Sequence, residues 1–161
     1  IGGGHVSLAL ARLSDYTGFS ASVLDDRVEF VSEARFPHAK RISPPTLSEP
    51  DMDAYFAEER LDSRDAVVIV TRGHAYDRDA LASALRTRAG YVGMIGSSPK
   101  RKQVYDSLLQ SGFTKDDLSR VCSPIGVSIG AETPEEIAVS IVAELNRWRS
   151  GRSLQKTQVV I

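Results

Sequence analysis

Apolar and polar positions follow two distinct rhythms along the chain. Residues 66–70 form an unbroken β-branched apolar run, the composition of a strand buried on both faces. Residues 19–24 and 91–95 read the same way, and Ile42 marks a further short strand. Between these runs apolar residues recur every three or four positions, which predicts helices over 5–16, 52–60, 78–88, 99–111 and 133–148. One or two helical turns are expected over 28–34 and a short turn over 116–120. Residues 43–50, with Pro44, Pro45 and Pro50, read as loop. The last helix is the best marked. Thr133 can cap it, Pro134 suits its first position, and Glu136 completes a capping box. Ile137, Ile141, Leu145 and Trp148 then share one face, read here as core packing.

Strand alternating with helix implies an α/β fold: a Rossmann-like, doubly wound, mostly parallel sheet with helices on both faces. Residues 1–150 form this domain, and 151–161 form a polar tail that closes on Val159, Val160 and Ile161. Ligands of such sheets bind beyond the carboxyl ends of the strands, so the loops after the strands hold the candidate chemistry.

The 161 residues carry 20 Lys+Arg against 21 Asp+Glu, a net charge of -1 that gives no support for a nucleic-acid surface. No apolar stretch is long enough to span a bilayer. Cys122 is the only cysteine, which fits a reducing compartment, most simply the cytoplasm. As a small apolar side chain it is more readily a core residue than a thiolate.

The chain opens Ile1-Gly2-Gly3-Gly4-His5-Val6-Ser7, which matches G-x-G-x-x-[G/A] except that Ser7 stands last. Gly2 allows a tight turn, Gly4 lets a pyrophosphate approach the backbone, and the helix starting near His5 offers free N–H groups. Asp25 follows a predicted strand about twenty residues beyond Gly4, where the dinucleotide fingerprint places the acid that holds a ribose. An acid there disfavours a 2′-phosphate, with Arg27 as a partial offset. The fingerprint normally follows a central strand, so that strand is expected before Ile1. The apolar end at 159–161 is a second candidate for a strand slot.

Three further loops carry candidate groups. Thr71, Arg72, Gly73 and His74 combine a hydroxyl, a cation, a close-approach glycine and an imidazole, and Asp77 reads as the cap of the next helix. Gly96 and Ser97 precede Lys100 and Arg101, cations at a helix start where their charge opposes the dipole unless an anion intervenes. Cys122 to Val127 includes Pro124 and Gly126. No nucleophile elbow or Walker loop is present, and His5, His38 and His74 lack metal-ligand spacing. No catalytic or metal-binding residue is therefore assigned.

Several strings occur together in one order: Gly2-Gly3-Gly4-His5-Val6, Asp25-Asp26-Arg27, Phe36-Pro37, Thr71-Arg72-Gly73-His74 with Asp77, Gly93-Met94-Ile95-Gly96-Ser97, Ser123-Pro124-Ile125-Gly126, and Thr133-Pro134-Glu135-Glu136-Ile137-Ala138. In this combination the chain closely resembles the C-terminal Rossmann domain of the XdhC/CoxI family over residues 1 to about 148. The resemblance implies an accessory protein of molybdenum hydroxylases such as xanthine dehydrogenase. Such a protein binds the molybdenum cofactor, as molybdopterin or its dinucleotide, holds it for sulfuration by a cysteine desulfurase, and delivers it to the hydroxylase apoenzyme. A homodimer is expected. An NAD(P)-dependent oxidoreductase domain and a non-catalytic docking or dimerisation module are the alternatives.

Overall fold

Over the residues the structure describes, the two rhythms resolve into five parallel strands and six helices. The computed structural model describes residues 1–151, so the apolar end at 159–161 lies outside the described residues. In chain order the elements are α1 (His5–Tyr16), β1 (Ser22–Leu24), a 3₁₀ turn (Val28–Val31), β2 (Lys40–Ile42), α2 (Glu49–Glu59), β3 (Ala66–Ile69), α3 (His74–Arg86), β4 (Tyr91–Met94), α4 (Ser98–Gln110), α5 (Lys115–Ser119), β5 (Val121–Cys122) and α6 (Pro134–Ser150).

β1 pairs with β2, in register from Ser22 opposite Lys40 to Leu24 opposite Ile42. β3 pairs with β4, and β4 with β5, again in parallel. Ile1 and Gly2 lie between the two groups. The Ile1 amine donates to Val68 O at 2.6 Å, Val70 N–H donates to Ile1 O at 2.9 Å, and Gly2 N–H donates to Leu24 O at 2.7 Å.

Helices cover both faces, as the apolar runs of β3 and β4 require. Val67 and Ile69 point into one core with Phe56 of α2, Leu81 of α3 and Leu108 of α4. Ala66 and Val68 point the other way, toward Leu10 of α1 and the Ile141–Leu145 stripe of α6. That stripe is core, as its spacing predicts, and both halves of the Thr133–Glu136 capping box form. Gly151 ends α6 in the left-handed conformation, at φ 63°.

Boundaries shift where local chemistry differs from the periodic pattern. Pro50 falls in the first turn of α2 instead of in a loop, because its missing N–H has no intrahelical partner there in any case. α3 starts at His74, capped by Gly73, so Asp77 lies inside the first turn and is not the cap. β5 is two residues long and leaves no sequence rhythm.

Candidate functional site

The glycine turn divides by what surrounds each glycine. Gly2 adopts φ +102°, which L side chains rarely take, and a Cβ there would lie 2.6 Å from Val70 O. A Cβ on Gly3 would lie 2.6 Å from Phe30 O. These two are required by the fold. Gly4 differs: a Cβ there meets nothing within 4 Å, and the same is true of Gly73 at the start of α3. Both glycines are helix caps with extended backbone and no side-chain hydrogen bond to the helix. His5 is exposed at the first position of α1, whereas Val6 packs into the core. Ser7, standing where the fingerprint has a small residue, is buried and donates its hydroxyl to Gly2 O.

Asp25 follows β1 and is 1% exposed. Its Oδ2 accepts from Gly3 N–H at 2.7 Å and from Arg27 Nη2 at 3.0 Å. Its Oδ1 accepts from Arg27 N–H at 3.0 Å and Arg27 Nε at 2.9 Å. Burial alone would raise this acid, but the Arg27 fork and the Gly3 N–H outweigh it and hold the pKa at about 2. The carboxylate that the fingerprint assigns to a ribose is thus already engaged within the protein. Arg72, from the loop after β3, reaches across to donate to Asp26 Oδ2 at 3.0 Å and to Tyr76 OH at 3.2 Å. It stands 3.9 Å from Asp25 Oδ1. The glycine turn and the β1 and β3 loops therefore form one connected charged cluster.

The loop after β4 joins it through Asp77, and the loop after β5 through Arg101. This carboxylate is fully buried, accepts from Thr71 Oγ1 at 2.5 Å, and pairs with Lys100 Nζ. Arg101 donates to Ser123 O. An anion from within the protein therefore meets Lys100, namely Asp77, while Arg101 is held by a neutral backbone carbonyl. Gly96 packs against the Lys100 side chain, while Ser97 is an exposed cap that makes no side-chain bond to its helix. The β5 loop is pinned from several sides. Ile125 N–H donates to Met94 O at 3.2 Å, and Gly126, at φ +97°, lies against Ser140 and donates to the buried Glu144 carboxylate. Pro124 is exposed. Tyr91 OH donates to Glu144 Oε2 at 2.9 Å, and burial followed by the Glu144 charge raises the pKa of Tyr91. The same two causes, in the same order, raise that of Cys122, which suits a packed thiol more than a reactive one.

A family model described as the XdhC Rossmann domain matches residues 1–145. The chain belongs to this family. It is 34% identical over 148 residues to a Bacillus subtilis protein named as a probable xanthine dehydrogenase subunit, covering 92% of this chain and 41% of that protein. It is 31% identical over 145 residues to the uncharacterized protein YqeB of Escherichia coli K12, covering 90% of this chain and 26% of the relative. A crystal structure of a xanthine dehydrogenase from Bacillus halodurans superposes with a TM-score of 0.74 at 30% identity, covering 94% of this chain and 42% of that one. The chain thus spans roughly a quarter to two-fifths of the length of these proteins.

This XdhC Rossmann domain uses residues that motif reading passes over. Arg35 donates to Gly3 O at 2.8 Å and so braces the turn from outside. Tyr76 supports Arg72, whose guanidinium lies 4.9 Å from its ring. Glu144 anchors the β5 loop, and its place next to the apolar Ile141–Leu145 stripe is the one sequence signal of its burial. Among the described residues no cluster of His, Cys, Asp and Glu gathers to hold a metal ion, and no helix is long and apolar enough to cross a membrane.

Proposed function

We propose that this XdhC Rossmann domain holds the molybdenum cofactor by its phosphate end at the glycine turn, and that the protein carrying it serves the maturation of a xanthine-dehydrogenase-type hydroxylase. The observation that carries the reading is the open cradle at Gly4 and Gly73. Each begins a helix, each leaves space where any side chain would intrude, and neither helix receives a side-chain cap. Free N–H groups at the positive ends of two helices suit a phosphate. The names of the Bacillus subtilis and Bacillus halodurans relatives support the link to xanthine dehydrogenase.

The residues present fit a phosphate better than a ribose. All four hydrogen bonds accepted by Asp25 come from Arg27 and Gly3, so a sugar hydroxyl would have to displace one of them. This favours a pterin phosphate over NAD at the turn. The backbone N–H groups after Gly4 and Gly73 would bind and orient that phosphate. Arg72, released from Asp26, would add a charge-assisted contact at the mouth. When bound, the cofactor supplies the molybdenum centre on which sulfuration occurs. A cysteine desulfurase and the apoenzyme are the partners that this role requires.

Gly4→Val tests the reading, because the branched side chain fills the cradle without touching the fold. Charge-assisted contacts of this kind are worth about 1.5–3 kcal/mol. Calorimetric titration with molybdenum cofactor should therefore show affinity weakened by about one to two orders of magnitude. Protein purified with its native ligand should carry molybdenum and pterin. Nicotinamide in that preparation, or cofactor affinity unchanged by Gly4→Val, would overturn the assignment.

A further inference from the structure

α4 carries apolar residues on two faces. Val104 and Leu108 are buried in the core, and Tyr105 and Leu109, each one position further round, fall on an adjoining flank. Leu109 is 38% exposed. α5, only 5 residues long, leaves a groove of about 620 Å³ beside that flank. Tyr105, Leu109 and Leu118 line it with apolar surface, and Arg101, Lys102 and Lys115 line it with positive charge. One carboxylate, Asp106, also lines it. It pairs with Lys102 at 2.6 Å, but both side chains are largely exposed, and such a pair is weak. Arg101 is held by the neutral carbonyl of Ser123, which leaves its charge uncancelled there. A chain of net charge -1 thus gathers cations around an apolar hollow.

We propose that this groove docks an acidic amphipathic helix of the hydroxylase apoenzyme, its apolar stripe on Tyr105, Leu109 and Leu118 and its carboxylates facing Lys102 and Lys115. The identity of the partner rests on the role in hydroxylase maturation proposed above, whereas its chemistry rests on the groove. A polar face would leave the exposed Leu109 against groups it cannot satisfy, and a basic helix would crowd like charges at the rim. Between Arg101 and Leu109 the groove follows α4 for about 12 Å, room for roughly two turns of a docked helix with anchors three or four residues apart. The groove is continuous with the site. Ser98, in the first turn of α4, lines it, and Arg101 ties it to the loop after β5. A partner seated there stands at the rim of the glycine-turn cluster, where a cofactor would be handed over. So short a contact suits a transient complex.

The test uses the full-length protein that carries this domain, the purified apoenzyme and two variants. Leu109→Asp spoils the apolar lining at an exposed position, and Lys102→Glu with Lys115→Glu reverses the rim charge. All three positions lie outside the proposed phosphate cradle, so both variants should keep the wild-type unfolding midpoint and cofactor affinity. Interferometry should show apoenzyme affinity reduced at least about tenfold in each. Added salt should weaken the wild-type complex and affect the charge-reversed protein far less. Carbodiimide, which condenses an amine with a carboxylate, should join Lys102 or Lys115 to Asp or Glu side chains of the apoenzyme spaced at helical intervals. Wild-type apoenzyme affinity in both variants, or cross-links from neither lysine, would overturn the proposal. If Leu109→Asp lowers the unfolding midpoint, the charge-reversed protein decides alone. Wild-type protein that binds cofactor but not apoenzyme removes the groove and spares the cradle. Protein that binds apoenzyme through the groove but takes no cofactor does the reverse.

Discussion

The helix starts of this domain fall into two groups that treat their free N–H groups differently. α5 and α6 each begin with a complete capping box, Thr114 with Asp117 and Thr133 with Glu136, and each has two acids in its first turn. α2 lacks a cap bond from Ser48 but places Glu49 and Asp51 in its first turn. α1 and α4 have neither a side-chain cap nor a first-turn acid. α3 has only Asp77, whose charge is committed to Lys100 and Thr71. The uncapped group is the set that follows the glycine turn, β3 and β4. Here the carboxylates bind neighbouring loops instead of their own helix, and the helix ends stay electropositive. Ser97 makes the contrast plain: it has the hydroxyl and the extended backbone of a cap, yet makes no cap bond. What distinguishes the site is therefore a set of omissions, backed by a rigid buried frame.

The sharpest way to break that frame is Lys100→Ala. Asp77 is fully buried, and Lys100 is its cationic partner at 19% side-chain exposure. Removing one member of a buried pair leaves an uncompensated charge and costs about 3 kcal/mol. Chemical denaturation should show that loss, and Lys100→Ala with Asp77→Asn should recover part of it. An unchanged midpoint for Lys100→Ala would mean that the lysine is a solvated cation and that the frame does not depend on it.

The Asp25–Arg27 pair comes next and can be read by pH. The folded pKa of Asp25, about 2, is below the ordinary 3.8. Because the folded value is depressed, its stabilisation is complete above the unfolded pKa and is lost as the pH falls from about 4 through about 2. The full effect is about 2 kcal/mol. Arg27→Ala should therefore destabilise the protein at neutral pH by a margin that shrinks across this window. A margin that stays constant down to pH 2 would place the role of Arg27 in its stacking over Phe30, 3.4 Å from the ring centroid, and not in its charge.

Much of the frame was legible in the chain because each signal was local. The box at Thr133, the stripe Ile137–Leu145 and the β-branched run of β3 are set by neighbours in sequence, and all formed. The glycine run was legible as a turn, but not the division of labour between Gly2, Gly3 and Gly4, which depends on where Val70 and Phe30 pass in space. Asp25 was found at the right spacing, and its saturation by Arg27 was not, because a carboxylate two residues before an arginine need not fold back on it. Lys100 and Arg101 drew attention for opposing their helix dipole. The anion that answers Lys100 proved to be Asp77, about twenty residues away on another helix start.

The smallest effects probe the two groups of helix starts directly. Thr133→Ala removes half of the α6 capping box, and a lost cap of this type costs about 1 kcal/mol. Gly73→Asp does the reverse at α3. The backbone there, at φ -163° and ψ 158°, admits any residue, and a Cβ meets nothing within 4 Å. The new carboxylate can accept from the first-turn N–H groups and complement the dipole, for a gain of at most about 1 kcal/mol, because Gly is already only a few tenths worse than Asp as a cap. The same carboxylate occupies the space and neutralises the potential that a phosphate needs. Stability and binding should therefore move in opposite directions at Gly73, with the unfolding midpoint level or slightly higher and affinity for inorganic phosphate or molybdenum cofactor reduced. At Thr133 only stability should fall. If Gly73→Asp leaves binding intact, the open start of α3 is a tolerated gap and not part of the cradle, and the distinction between the two groups of helices loses its functional meaning.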